Sequence, residues 1–255
     1  MQTRNAIVRR PSKKLGEGIT TASLGVPNFE RACEQHAAYC EALRAAGATV
    51  TVLEADAAHP DAHFVEDTAV LICGSAILAR PGAEARLGET IREPLAEFFA
   101  DFKEIVAPGT LDGGDVCDAG DRVFVGVSHR TNRAGAEQLA RLAAEAGKTP
   151  VLVDIRNLPG ILHLKSGLAY LGDDRFVVIA ALLPAIAISP DRIVRVAPGE
   201  EYGSNCVRVN DVVLIADGHS RLQRDLARAE YSTTALDVSE FRKMDGGLSC
   251  LSLRF

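Results

Sequence analysis

Apolar positions along this chain come in short runs that break at a turn and then resume. Thr68–Ile72 reaches Cys73-Gly74 and continues as Ser75–Ala79. Asp115–Cys117 reaches Ala119-Gly120-Asp121 and continues as Arg122–Val125. Leu168–Leu171 turns at Gly172-Asp173-Asp174 into Arg175–Ile179, and Cys206–Val209 turns at Asn210-Asp211 into Val212–Ile215. β-Branched content around Gly, Asn and Asp turns predicts four β-hairpins.

Between the hairpins the apolar period lengthens. Phe29, Cys33, His36, Cys40 and Leu43 are spaced by three and four, one face of a helix that stops at Gly47. His36 on that stripe reads as a packed histidine. Asn132 can cap a helix running through Leu139 and Leu142 to Gly147. Ile91–Phe99 and Leu222–Ala229 supply two more helices. Extended runs follow at Thr49–Leu53, Glu104–Val106, Val151–Ile155, Ile193–Val196 and Ala235–Val238.

These stretches make four units of hairpin, connecting segment and strand. Ala6-Ile7-Val8 and the C-terminal stretch can pair as a split fifth unit. Leu111-Asp112-Gly113-Gly114 and Met244-Asp245-Gly246-Gly247 echo one another. Repeated units around an axis bury one shared core and leave a central channel where loops converge. The expectation is a single propeller-like α/β domain spanning residues 1–255. The terminal residues Leu248–Phe255 alternate as a strand would, with Leu251, Leu253 and Phe255 on one face and Leu248, Cys250 and Ser252 on the other.

Composition narrows the function classes. Of 255 residues, 47% are apolar, enough for a sizeable core, and the formal net charge is −6. That balance argues against nucleic acid, which needs a basic face. The six cysteines show neither a disulfide framework nor a Cys-x-x-Cys pair. Met1–Ala6 lacks the apolar core of a signal peptide. The longest apolar run, Phe176–Ile188, is interrupted by Pro184 and is too short to span a bilayer. The expectation is a reduced, cytoplasmic protein without membrane or nucleic-acid partners.

Chemistry-bearing residues sit at equivalent places before the hairpins. Asp61, His63, Glu66 and Asp67 precede the first, Asp112 and Asp115 the second, and His163, Lys165 and Ser166 the third; Asp245 and Cys250 follow the last. If the units ring one axis, a thiol, an imidazole and several carboxylates converge: a nucleophile, a general acid/base and an orienting acid. The surplus of carboxylates suits a cationic substrate, since a guanidinium matches carboxylates in bidentate fashion. A carboxylate near a thiol raises its pKa, so activation would wait for the cation to bind.

Phe64-Val65-Glu66-Asp67, Arg80–Arg86, Thr110-Leu111-Asp112-Gly113-Gly114-Asp115, Arg130-Thr131-Asn132, His163-Leu164-Lys165-Ser166-Gly167 and Asp245–Phe255 together resemble dimethylarginine dimethylaminohydrolases. The resemblance covers essentially the whole chain in the family's order. It implies the five-bladed αβ-propeller (pentein) of the guanidino-group modifying superfamily, built from ββαβ units about a pseudo-fivefold axis. It further implies that Cys250 attacks the guanidino carbon of a methylated arginine and that His163 protonates the leaving amine and then activates water. Asp112 would orient His163, Asp67 and Glu66 would hold the guanidinium, and Phe64 would line the site. Arg86 and Arg130 would clamp the α-carboxylate. Asp61, with carbonyls near Ile19 and Met244, would receive the α-amino group. Leu15–Thr20 matches the family's mobile lid. No cofactor or structural metal is implied, though Cys250 and His163 could capture zinc; a homodimer is the family expectation. The rival readings are an arginine deiminase, whose type usually carries a helical insertion that this length leaves no space for, an amidinotransferase, and a non-catalytic propeller.

Overall fold

The computed structural model describes residues 2–255. Its elements run β1 (Asn5–Arg9), α1 (Phe29–Ala45), β2 (Thr49–Leu53), β3 (Ala69–Ile72), β4 (Ser75–Leu78), α2 (Arg92–Ala96) and β5 (Phe102–Glu104). They continue with β6 (Val116–Ala119), β7 (Arg122–Val127), α3 (Arg133–Glu145), β8 (Thr149–Asp154), β9 (Leu168–Gly172), β10 (Arg175–Val178) and β11 (Ile193–Arg195). The last are β12 (Val207–Val209), β13 (Val212–Ala216), α4 (Ser220–Arg228), β14 (Ser232–Leu236), α5 (Ser239–Arg242) and β15 (Leu253–Arg254).

The strands form five three-stranded sheets of one pattern: an antiparallel pair, then a third strand parallel to the second. The first sheet is split between the chain ends. β1 pairs antiparallel with β15 through Ala6↔Arg254 and parallel with β2 through Ala6↔Val50. Parallel neighbours need a crossover, and helices supply it in four units. Between β10 and β11 there are only the 3₁₀ turns Ala180–Ala185 and Pro190–Arg192. Pro184 lies in the first of them and has no N–H to donate. The result is a five-bladed αβ-propeller.

A short 3₁₀ turn precedes the inner strand of every blade: Val65–Thr68, Gly113–Asp115, Leu164–Ser166, Glu201–Ser204 and Ser249–Leu251. Neighbouring turns touch one another around the axis. Hydrogen bonds between Asn205 and Ser249 close the ring. Because each turn carries a loop to the same end of the axis, residues far apart in sequence become neighbours there.

The hairpins and the α1 and α3 boundaries match the apolar pattern, including the Asn132 side chain capping α3 at Gly135 N–H. On α1 the buried face is rotated slightly: Ala32, Gln35, His36, Tyr39, Cys40 and Leu43 are buried, while Phe29 and Cys33 are half-buried. The Ile91–Phe99 helix shrinks to α2, and the strands expected at Glu104–Val106 and Ala235–Val238 lie two to three residues earlier as β5 and β14, half-buried to exposed outer strands paired parallel with β4 and β13. The terminal strand is a larger correction. Ser249–Leu251 is a 3₁₀ turn and only Leu253–Arg254 is strand. The Ser249 N–H is taken by Asn205 and the Cys250 N–H by the Gly247 carbonyl, so neither can join a sheet ladder.

Candidate active site

Two turns hold the reactive pair. Cys250 sits in the Ser249–Leu251 turn, where the Gly247 N–H points at its sulfur at 3.4 Å. His163 precedes the Leu164–Ser166 turn, held by its own N–H donating to Ser166 Oγ. Its Nε2 meets Asp112 Oδ2 at 3.0 Å. Asp112 is fixed in turn by the Gly82 N–H on Oδ1 at 2.9 Å. Cys250, His163, Asp112, Asp67, Arg86, Arg130, Asp61, Phe64, Ile19 and Met244 all line one cavity.

The electrostatics follow from burial against carboxylates. Burial alone would depress the His163 imidazolium, but Asp67, Asp115 and Asp112 outweigh it and raise it to about 9. Burial, then Glu66 and Asp67, push the Cys250 thiol up to about 12. The two groups that share this cavity are therefore an imidazolium and a neutral thiol near pH 7. Burial would raise the Asp67 carboxyl; His163, Arg86 and the Gly114 N–H at 2.9 Å overcome this and bring it to about 2. Asp67 stays ionised in the cavity wall, as a partner for a cation must.

Glu66 is elsewhere. Its carboxylate accepts from Lys165 Nζ and Ser249 Oγ, both at 2.7 Å, behind the turn that bears Cys250. It is not among the cavity-lining residues. Next to Asp67 in sequence, Glu66 instead meets partners from two other blades, Lys165 and Ser249.

Arg86 and Arg130 also differ. Arg86 is buried, with Nε and Nη2 forked onto Glu89 at 2.9 and 2.7 Å and Nη1 on Asp67 at 2.7 Å. Its Nη2 also reaches the Phe64 carbonyl at 3.1 Å. Most of its donors are thus used within the protein. Arg130 is half-buried, and among the described residues no acceptor takes its guanidinium.

The lid expected at Leu15–Thr20 lies over the cavity. Ile19 N–H donates to Asp61 Oδ2 at 3.0 Å, and Thr21 binds Asp245 Oδ2 through N–H at 2.5 Å and Oγ1 at 2.9 Å. Under it the cavity has about 30 Å³ of free space, room for about two waters. A substrate of amino-acid size requires this segment to open. Donor atoms of Asp67, Asp112 and His163 lie within 4.8 Å of one another. They are engaged with Arg86, Gly82, Gly114 and each other.

Residues to which the sequence motifs assign no role complete the site. Leu162, Asp245 and Gly246 also line the cavity. Asn205 links the two reactive turns: Oδ1 accepts the Ser249 N–H at 2.9 Å, and Nδ2 donates to the Lys165 carbonyl and Ser249 Oγ at 3.1 Å. Asp115 braces the His163 turn through the Leu164 N–H at 2.9 Å. Asp115 and Asp245 lay within motifs read as acidic clusters; nothing in the local sequence marks Asn205 or Leu162.

Known proteins resemble the chain throughout its length. The arginine deiminase family model matches residues 90–197. The N(G),N(G)-dimethylarginine dimethylaminohydrolase of Pseudomonas aeruginosa is 38% identical over 255 residues, covering 99% of both chains. The enzyme of that name from Streptomyces coelicolor is 36% identical, covering 100% of this chain and 98% of its own. A solved structure of the P. aeruginosa protein, a cysteine-to-serine variant complexed with citrulline, superposes with a TM-score of 0.94 at 37% identity over all of both chains. The N-terminal domain of a cyanobacterial arginine dihydrolase, at 19% identity and TM-score 0.87 over 100% of this chain and 97% of its own, shares the fold. Whole-length identity to two curated relatives, on the same propeller, shows that the chain belongs to the dimethylarginine dimethylaminohydrolase family.

Proposed function

We propose that this protein hydrolyses Nω-methylated arginines, asymmetric dimethylarginine and monomethylarginine, to citrulline and dimethylamine or methylamine. The observation that carries this reading is the cavity shared by the Cys250 thiol, the His163–Asp112 pair and the ionised Asp67, in a chain 38% identical throughout to a curated enzyme of that activity.

The substrate guanidinium pairs with Asp67, and its positive charge beside Cys250 favours loss of the thiol proton to solvent. The thiolate attacks the guanidino carbon and a C–S bond forms. As the C–N bond breaks, His163, held by Asp112, gives its proton to the departing amine. The now neutral imidazole takes a proton from water as its oxygen attacks the thiouronium carbon. Collapse expels the Cys250 sulfur, which takes up the hydroxyl proton and returns to the thiol, and leaves the ureido group of citrulline. Arg130, with its free guanidinium, takes the α-carboxylate; Arg86 lends charge and at most one remaining N–H. Asp61 and the carbonyls near Ile19 and Met244 receive the α-amino group once the lid rearranges, while Phe64 packs along the substrate chain. None of these steps needs a cofactor. Residues 1–255 act as one catalytic unit. The six free cysteines support a reducing compartment, the cytoplasm, and no described helix is long and apolar enough to cross a membrane. The expected homodimer is testable by solution scattering.

A second reading, deimination of unmethylated arginine, draws on the family model matched at residues 90–197. One assay separates the two: each substrate is supplied alone, and citrulline, dimethylamine and ammonia are followed. Faster turnover of arginine overturns the first reading. Mass spectrometry of protein quenched with substrate is expected to show an adduct on the Cys250 peptide, and Cys250→Ser to abolish turnover while the fold persists. His163→Gly is expected to cost on the order of 10²–10⁴ in rate.

A further inference from the structure

The reaction proposed above has a traffic problem. After C–N cleavage the amino-acid half stays bonded to Cys250, filling the route beneath the lid. The amine must still leave and water must arrive. A second and larger cavity, of about 320 Å³, lies beside the first. It shares Leu162, Asp245 and Gly246 with the catalytic cavity.

Its walls touch both reactive turns. Gly247, whose N–H points at the Cys250 sulfur, lines it, as does Ser166, which holds the His163 backbone. Leu162, half-buried and next to His163, is the one side chain larger than Asp245 that faces both spaces. Ala22 and Leu24, which follow the lid in the chain, cover the far side, and Leu24 is 52% exposed, so the cavity borders solvent there. Glu201 and Asp245 place carboxylates on its wall, which favour an amine that takes up a proton on reaching water. Arg242, a cation on its wall, stacks over Tyr202 at 4.4 Å.

Resting on the methylarginine reading, we propose that this side cavity is the subsite for the Nω-substituent and the passage for the departing amine, with Leu162 as the gate that sets substituent size. The ligand class is a small alkylamine, free or as the N-alkyl group of a guanidinium. A gate of this kind discriminates by methylenes, each misfit costing roughly tenfold or more in kcat/KM.

The test is a series of Nω-methyl-, ethyl- and propyl-arginine assayed with the unmodified protein, Leu162→Ala and Ala22→Trp. Ala22 lines only the side cavity, so Ala22→Trp fills it without touching the catalytic one. Leu162→Ala is expected to raise the propyl-to-methyl ratio of kcat/KM about tenfold or more, and Ala22→Trp to lower it by a similar factor. Ratios within about threefold of the unmodified protein in both variants, with methylarginine still hydrolysed, overturn the subsite and leave the reaction standing. No hydrolysis of methylarginine by the unmodified protein overturns both.

Discussion

Replacing Asp67 by Asn tests the electrostatic account of the site without changing its shape. The donor atoms of Asp67 and His163 lie within 4.8 Å of each other. At an effective dielectric of about 20, unit charges at that separation interact by about 3.5 kcal/mol, which is about 2.5 pKa units. Asp112 and Asp115 remain, and side chains and water relax, so a fall of about 1–2 units is expected. His163 then titrates about 1–2 units below its starting value of about 9. The Cys250 thiol moves the same way, because Asp67 is among the groups that hold it up, although burial and Glu66 keep it above neutral. The assays are NMR titration of the His163 imidazole and the pH dependence of Cys250 alkylation. Turnover is expected to collapse together with substrate binding, since the guanidinium loses its partner. Arg86 keeps Glu89, so the stability cost should stay below the roughly 3–5 kcal/mol of a fully orphaned buried charge. A His163 midpoint that moves by less than about 0.3 units would refute the assignment of Asp67 as the main charge facing it.

Three further outcomes are expected. A Cβ at Gly82 would lie 2.0 Å from the Arg130 carbonyl oxygen, and the Gly82 N–H holds Asp112; Gly82→Ala should raise KM and lower kcat together, and unchanged kinetics would dismiss this contact. Asn205→Ala removes the tie between the Cys250 and His163 turns; kcat should fall about 10–100-fold, as for loss of near-attack geometry, with KM shifted far less, and a pure KM effect would count against it. Burial holds His36 down to about 4 and His63 to about 3, and Nε2 of each lacks a hydrogen-bond partner. Both folded values lie below that of the unfolded chain, so their contribution is complete above about pH 6.5 and is lost as pH falls through the folded values, by up to several kcal/mol. His163 has the opposite sign, contributing below about pH 6.5 and losing that contribution as pH rises through about 9. Urea unfolding across pH 3–10 should therefore show both limbs, and His63→Gln should shallow the acid one.

Much of this architecture is legible one residue after another. A period of two with Gly or Asn at the break leaves a hairpin little choice, and β3–β4, β6–β7, β9–β10 and β12–β13 appear where those patterns stand. An Asn before a period of 3.6 residues specifies where α3 starts. The motif residues Asp67, Asp112, His163 and Cys250 can be picked out before any coordinates, because their chemical types recur at equivalent points of a repeat.

Direction and partnership are another matter, because they depend on groups brought in from other blades. The alternation at Leu248–Phe255 suits a strand, yet Asn205 captures the Ser249 N–H and turns the backbone into a 3₁₀ bend. Glu66 and Asp67 are adjacent and of one chemical kind, but Lys165 draws the first behind the nucleophile while Arg86 and Gly114 hold the second in the cavity wall. Arg86 and Arg130 look alike along the chain, but Glu89, three residues on, folds back onto Arg86, while Arg130 finds no such acceptor among the described residues. Local periodicity dictates the elements because backbone hydrogen bonding and side-chain direction are properties of neighbouring residues. Which carboxylate faces a ligand is settled by competition among donors that lie 19 to 99 positions away in the chain, and that contest exists only once the propeller has closed.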